Sequence, residues 1–227
     1  TWLASGTGLP ADIPGVGNNP SFDFSANVGN ADITITITSA DDFDFVTVLL
    51  APGRDITGVD FANMENLVTL EMPSNALALI DLATNTALQR LELDNNDLSV
   101  IDISTNVNLN TFDASFNDLT VVDVAGIPNL TFLDVSNNEL TAIDLNGNNQ
   151  LAQINLDFNL LTTVSIGQII GQVDAYGTSG FGHILSLTGN PGDIPASAIN
   201  GVNNLLARDW IVRPPVIYDF GDAPNSY

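Results

Sequence analysis

Acidic side chains recur at a fixed interval of 21 residues in this sequence. One series, named here the front column, contains Glu71, Glu92, Asp113 and Asp134, and Asn155 takes its next position. A second series follows Asp60 and is named the reverse column: Asp81, Asp102, Asp123 and Asp144. Rows of carboxylates attract cations and basic protein segments, and calcium takes about six to eight oxygen ligands. These residues therefore suggest cation binding or recognition of a basic partner.

The strongly negative net charge of the chain argues against some classes of binding partner. The 227 residues include 27 acidic and 4 basic side chains, which give a formal net charge of -23. Such a surface repels phosphate backbones and anionic membranes, so we expect no nucleic-acid binding. No apolar run approaches the ~18 residues of a membrane span, so we expect no membrane insertion either. There is no cysteine, which excludes disulfides and thiolate metal sites.

The element that positions the carboxylates is a repeat of the form L-x-x-L-x-L-x-x-N-x-L. Residues 130–140, LTFLDVSNNEL, show it in full, and at least five units keep the same phase. A period of 21 residues falls within the range of leucine-rich repeats. We therefore predict a leucine-rich repeat solenoid, made of parallel β-sheet coils with little helix in the repeats. Each coil should advance the chain by ~4.8 Å.

An asparagine column accompanies the leucines. It consists of Asn75, Asn96, Asn117, Asn138 and Asn159. An asparagine amide can both donate and accept, so it can satisfy the N–H and C=O groups of a buried turn in coil after coil. We therefore interpret this column, and a second one formed by Asn85, Asn106 and Asn148, as structural.

The sequence outside the repeats predicts two caps. Residues 1–45 begin with a Gly/Pro-rich stretch and continue with the alternating segment 33–38, ITITIT, so we predict a linker and a β-rich N-terminal cap. Residues 46–166 contain the repeats. Residues 167–215 should form a C-terminal cap with a short helix near 167–173, a second helix at 196–207 and a closing strand at 210–212. Residues 216–227, which follow two prolines, are predicted to be a linker or the start of a following domain.

Two segments resemble known families. The motif LTFLDVSNN at 130–138 resembles the repeats of bacterial extracellular leucine-rich repeat proteins. The tail DFGDAPNSY at 219–227 resembles the opening of a GEVED domain, a module of large secreted bacterial proteins. The resemblance implies a module of a larger protein that is secreted or displayed at the cell surface. It implies no substrate.

We predict that the outward face of the sheet is the binding site. The front column lies at the centre of that face, and arginine, aspartate and phenylalanine side chains lie beside it. Stacked carboxylates repel one another, which should raise some of their pKa values unless a partner relieves the repulsion. Phenylalanines nearby would supply apolar anchors. The candidate partner-binding residues are Glu71, Arg90, Glu92, Asp94, Asp113, Phe116, Phe132, Asp134, Asp157 and Phe158.

The reverse column is a weaker candidate for calcium. Ser99, Thr120, Thr141 and Thr162 accompany it, but no D-x-D-x-D-G loop is present. We favour the interpretation that these side chains satisfy turn backbone and face water, and we expect no cofactor, with calcium as the one alternative. A threonine column on a flat solenoid also suggests ice binding. The charged column beside it argues against that function.

Catalysis has little support in the sequence. His183 is the single histidine and lies in a Gly-rich turn with no nucleophile motif nearby. Asp113 and Asp134 could serve as the acid and base of a glycan-active enzyme. A ladder of equivalent acids, however, offers no environment that would separate their pKa values. We therefore do not expect an enzyme.

We predict a non-catalytic binding or adhesion module of a larger secreted or surface bacterial protein. It should be monomeric and engage a protein or glycan on another cell or matrix. The alternative is a rigid spacer with a solvating or calcium-binding acidic surface.

Overall fold

The computed structural model describes residues 2–5, 33–37, 47–53, 55–61 and 64–215. The predicted start of a following domain, at 216–227, lies outside the described residues, as does most of the predicted N-terminal region. The described strands are β1 (Trp2–Ser5), β2 (Ile33–Ile37), β3 (Val48–Leu50), β4 (Ile56–Val59), β5 (Thr69–Glu71), β6 (Arg90–Glu92), β7 (Thr111–Asp113), β8 (Phe132–Asp134), β9 (Gln153–Asn155), β10 (Ile184–Ser186) and β11 (Ile211–Arg213).

The coils stack into a parallel sheet of eight strands, the front sheet. Its order is β11-β10-β9-β8-β7-β6-β5-β3, so strands that follow one another along the repeats also lie side by side. Each strand pairs with the strand of the next coil in register. The chain is therefore a leucine-rich repeat solenoid, as the 21-residue period predicts.

The core is a stack of apolar side chains between the front sheet and the returning segments. The middle residue of each strand from β5 to β10 points inward and is buried: Leu70, Leu91, Phe112, Leu133, Ile154 and Leu185. A coil by itself could not bury these side chains, because each has its neighbours on the coils above and below. Stacking removes the apolar surface from water, and this burial stabilises the fold.

The asparagine column has the structural role that the sequence predicts. Asn117 Oδ1 accepts a hydrogen bond from the backbone N–H of Leu98 in the preceding coil, at 2.9 Å. Its Nδ2 donates to the carbonyls of Leu93 in that coil and of Ala114 in its own, at 3.0 and 3.1 Å. Asn138 repeats the pattern one coil later. Asn190 continues it into the cap, with a bond from the N–H of Leu161.

The returning segments differ from a second sheet. Within the described coils, regular strand on this side is confined to β4, and the other returning segments are irregular backbone and turns. The asparagine amides replace part of the ladder here, so each segment exchanges fewer backbone bonds with its neighbours. β4 pairs in parallel with β2, and β2 pairs antiparallel with β1. The alternation at 33–38 therefore correctly predicts a strand against the first coil.

The C-terminal end of the solenoid is covered by helices. α1 (Thr163–Ala175) is longer than the predicted segment 167–173 because Thr162 and Ser165 form a capping box at its start. A short 3₁₀ turn, Ala196–Ala198, leads into α2 (Ile199–Ala207), in agreement with the predicted second helix. Among the described residues, no helix is long and apolar enough to cross a membrane.

Candidate binding face

The front column lies on one face of the front sheet. Parallel pairing places Glu71 opposite Glu92, Glu92 opposite Asp113, and Asp113 opposite Asp134. Their side chains are half-buried. The other predicted binding residues lie on the same face or at its edge, because β-strand geometry sends alternate side chains outward.

Arg90 relieves the charge at one end of the column. Its Nε donates to Glu71 Oε1 at 2.8 Å, and its second guanidinium nitrogen bonds Glu92 Oε1. Arg90 is half-exposed, so it bridges the two carboxylates at the surface rather than inside the core. The sequence placed Arg90 beside the column but predicted relief of the repulsion by an external partner. Part of that relief comes from the chain itself.

At the other end of the front column, two serines and one asparagine donate hydrogen bonds to the carboxylates. Asp113 Oδ1 accepts from the backbone N–H and the hydroxyl of Ser115, at 3.0 and 2.7 Å. Asp134 makes the same two bonds with Ser136. In addition, Asn155 Nδ2 donates to Asp134 Oδ2 at 2.8 Å. The motif D-x-S at 113–115 and 134–136 is the sequence signal for these bonds, which the predicted binding face did not include.

Burial raises the pKa of three carboxyl groups on the front face, those of Asp113, Glu92 and Asp94. Burial raises the pKa of Asp113 to about 6, against the bonds from Ser115, and repulsion from Asp134 and Asp94 adds to the rise. Burial also raises the pKa of Glu92 and that of Asp94. The predicted direction is therefore correct, but the largest cause is loss of hydration rather than repulsion between stacked charges.

Asp157 has a local structural role. Its Oδ1 accepts from the backbone N–H of Thr188 at 2.6 Å, which ties the last repeat to the cap. Its own N–H donates to Asn155 Oδ1 at 3.2 Å. These bonds occupy part of the carboxylate. Asp157 therefore has a purely structural explanation that the sequence did not suggest.

Two phenylalanines at the edge of the face lie in an unusual backbone conformation. Phe116 has φ 53° and Phe158 has φ 51°, in the left-handed region that bulky residues rarely adopt. Ser74, Asn95 and Asn137 take the same conformation at the equivalent position of other coils. Both phenylalanine side chains are more than half exposed. Phe132, in contrast, lies half-buried on β8.

The reverse column caps turns. Each of its aspartates accepts a hydrogen bond through Oδ1 from the backbone N–H two residues later: Ala83, Ser104, Ala125 and Asn146. The bonds from Ser104 hold the pKa of Asp102 below its ordinary value. These bonds agree with the interpretation that the column satisfies turn backbone. All four side chains are exposed.

The described residues contain no group of three or more His, Asp and Glu side chains arranged to hold a metal ion. Calcium binding by Asp81, Asp102, Asp123 and Asp144 stays a prediction. His183 stacks against Trp210 with ring centroids 4.8 Å apart, and its Nδ1 lies 2.7 Å from the carbonyl oxygen of Gly180. It therefore packs in the C-terminal cap, away from the carboxylates of the front column.

No protein-family model and no curated protein matches the chain. Solved structures match its fold. A leucine-rich repeat protein of Leptospira interrogans is similar with a TM-score of 0.59 and 19% identity, over 74% of this chain and 49% of that one. An internalin of Listeria monocytogenes has a TM-score of 0.60 and 15% identity, over 74% and 47%. The leucine-rich repeat domain of APL1B has a TM-score of 0.55 and 22% identity, over 70% and 47%.

The chain thus spans about half the length of each of these solved chains. Their identities are low, so the similarity establishes the leucine-rich repeat fold and nothing about a ligand.

Proposed function

We propose that this chain is a non-catalytic binding module that engages a protein partner through the front face. The face combines half-buried carboxylates with exposed aromatic rings, and the partner contributes basic and apolar side chains. A glycan is the alternative ligand, since aromatic rings and carboxylates also suit sugar rings and hydroxyls. Adhesion of a bacterial cell to another cell or to matrix is the setting that we propose.

The conformation of Phe116 carries this proposal. A left-handed backbone costs a residue with a side chain about 1–2 kcal/mol, and asparagine tolerates it best. Neighbouring coils use Asn95 and Asn137 at this position. Phe116 also keeps its ring 56% exposed, so packing within the chain recovers little of the cost. Strain and exposure together are typical of residues kept for binding.

Phe158 is a weaker instance of the same feature. Its ring lies over Gly189, where a Cβ atom would come within 2.4 Å of Phe158 Cδ1. Part of that ring therefore packs on the cap. Because Phe116 and Phe158 lie two coils apart on the same edge, a partner that spans the face would contact both.

The test replaces Phe116 with asparagine, the residue at the equivalent position of the coils on either side. The Phe116→Asn variant should be about 1 kcal/mol more stable than wild type, because asparagine relieves the left-handed strain. Immobilised wild-type and variant chains would be screened against a panel of purified extracellular proteins and a glycan array. Any ligand of the front face should bind Phe116→Asn at least about tenfold more weakly, which corresponds to about 1.4 kcal/mol.

A control variant, Asn137→Phe, adds an aromatic ring at the position between the two phenylalanines. The variant should be less stable than wild type, because phenylalanine is strained in the left-handed conformation. It should still bind the ligands found, because Phe116 and Phe158 are unchanged. If the ligands found bind Phe116→Asn and wild type equally, the front face is not the binding site.

The second candidate function is a rigid spacer within a longer exported chain. The observation in its favour is that Arg90, Ser115, Ser136 and Asn155 already satisfy much of the front face. A spacer needs no partner, so the screen would return no ligand with micromolar affinity. The role of the chain would then depend on its stability and its shape rather than on a ligand.

The extracellular location belongs to the same proposal. It is supported by the LTFLDVSNN repeat motif and by the fold shared with bacterial leucine-rich repeat proteins. Detection of the intact protein at the surface of whole cells, by antibody labelling without permeabilisation, tests it. Light scattering of the purified chain tests the proposed monomeric state.

A further inference from the structure

An apolar stripe runs along the reverse side of the solenoid. Its members occupy one position of three successive coils and are exposed to 69%, 64% and 69%: Leu79, Val100 and Val121. The residues that follow Val100 and Val121, Ile101 and Val122, are buried in the core, and Ile80, which follows Leu79, is partly buried against it. Single exposed apolar side chains are common on protein surfaces, whereas a continuous row of them marks an interaction surface.

Two acidic rows accompany this stripe along the chain. Asp97 and Asp118, both exposed, precede Val100 and Val121 by three residues, and Glu139 takes this position in the next coil. The reverse column follows each member of the stripe by two residues. Arg90, on the front sheet, is the one lysine or arginine between residues 64 and 207. Among the described residues, no ion pair joins an arginine to a carboxylate of the reverse column. The front column differs, because Arg90 pairs with two of its members.

We infer that this reverse side is a second docking surface, which takes a basic amphipathic helix lying along the solenoid axis. Coils advance by ~4.8 Å and a helix advances by ~5.4 Å per turn, so apolar residues on successive turns meet successive members of the stripe. Lysine or arginine on both flanks of that helix meets the acidic rows. A second copy of this chain does not fit, since its net charge of -23 would oppose the same rows.

The test measures binding of a synthetic peptide to the full 227-residue chain. The peptide forms a helix with leucines at i, i+4, i+7 and i+11 and lysines on both flanks. A scrambled peptide of identical composition, with no apolar face, is the control for charge attraction. Calorimetry or fluorescence anisotropy at ~0.15 M salt gives the affinities, because exposed charge–charge attraction is partly screened at that ionic strength.

Matched variants separate the two faces. Val100→Thr with Val121→Thr keeps the β-branched shape and removes two apolar contacts, so the helical peptide should bind about tenfold more weakly. Asp102→Asn with Asp123→Asn should weaken binding and reduce its salt dependence. Phe116→Asn, on the front face, should leave the affinity unchanged. Circular dichroism and the thermal midpoint check that each variant is folded.

Three results would overturn the inference. Equal binding of the scrambled peptide would reduce the interaction to attraction between opposite net charges. An unchanged affinity of the Val100→Thr, Val121→Thr variant would remove the stripe from the contact. Loss of binding in Phe116→Asn would move the peptide to the front face.

Discussion

The two acidic columns have the same 21-residue spacing and nearly the same composition, yet they are held differently. Front-column carboxylates lie half-buried on a sheet, where loss of hydration raises the pKa of Asp113 to about 6. Reverse-column carboxylates are exposed and accept bonds from turn N–H groups, and the pKa of Asp102 is lowered. Periodicity therefore does not determine electrostatics. The backbone around each column does.

This difference helps to distinguish acidic residues that stabilise the fold from acidic residues that are available for a partner. In the reverse column, Asp102 stabilises its own turn when it is ionised, because the bonds from Ser104 favour the carboxylate. A front-column carboxylate such as Asp113 is less favourable when it is ionised, because it has lost part of its hydration. A basic partner at the front face would remove that penalty, since an opposite charge favours the ionised form. The front column therefore has more to gain from a partner.

The largest effect should come from the frame that holds both columns. Replacement of Asn117 by alanine leaves the buried N–H of Leu98 without its acceptor and removes the bonds to Leu93 and Ala114. We expect a loss of about 3 kcal/mol in the free energy of unfolding, measured by urea denaturation. Asn149→Ala, at an exposed asparagine, is the control and should change it by less than about 0.5 kcal/mol.

The same substitution in the two columns should have opposite signs. Asp113→Asn removes a carboxylate whose folded pKa, about 6, exceeds its unfolded value of 3.8. The contribution of Asp113 to stability therefore falls in wild type as the pH rises from about 4 to 7, and this loss is absent in the variant. After allowance for partial exposure, we expect the variant to be about 1–2 kcal/mol more stable at pH 7.5 and equal to wild type below pH ~4.

Asp102→Asn is the matched change in the reverse column. The lowered pKa of Asp102 means that its carboxylate stabilises the fold above its unfolded pKa, and this contribution is lost as the pH falls through the folded value. The variant should therefore be less stable than wild type at neutral pH, and the difference should shrink in acid. Urea midpoints at pH 3, 5 and 7.5 measure both variants. Equal signs for Asp102→Asn and Asp113→Asn would contradict the comparison.

A smaller effect should follow from removal of the cation at the front face. Arg90→Gln leaves Glu71 and Glu92 opposite each other without the guanidinium that bridges them. We expect a loss of about 1 kcal/mol at pH 7, reduced in 1 M salt because salt screens the repulsion. Arg213→Gln is the control, since Arg213 makes no ion pair within the described residues. A loss that does not depend on salt would point to packing of the arginine stem instead.

The sequence predicted which residues share a face, because a constant coil length puts equivalent positions in register. It predicted the bonds of Asn117 for the same reason, since every coil repeats the same turn. It did not predict the main cause of the raised pKa of Asp113. That cause depends on how far the Asp113 side chain, which lies between the buried residues Phe112 and Ala114, is withdrawn from water. The depth of a side chain has no period in the sequence.

The left-handed position could have been inferred. Ser74, Asn95 and Asn137 are residues that tolerate this conformation, and Phe116 and Phe158 stand out in the same column. The exposure of Val100 was harder to infer, because a valine in a strand-like segment can point either into the core or out to solvent. The reach of Arg90 to both Glu71 and Glu92 depends on side-chain rotamers, which the repeat pattern does not specify.

Calcium should have the smallest effect on the stability of the chain. Comparison of calcium with magnesium shows whether the effect is specific to calcium. In the described residues neither column brings three ligands together, and each reverse-column aspartate uses one oxygen for its turn. Divalent ions would then act only by screening repulsion, so calcium and magnesium at equal ionic strength should raise the thermal midpoint equally. A rise specific to calcium would show that the columns form a true oxygen site. If Asp102→Asn abolished that rise and Asp113→Asn did not, the site would lie in the reverse column.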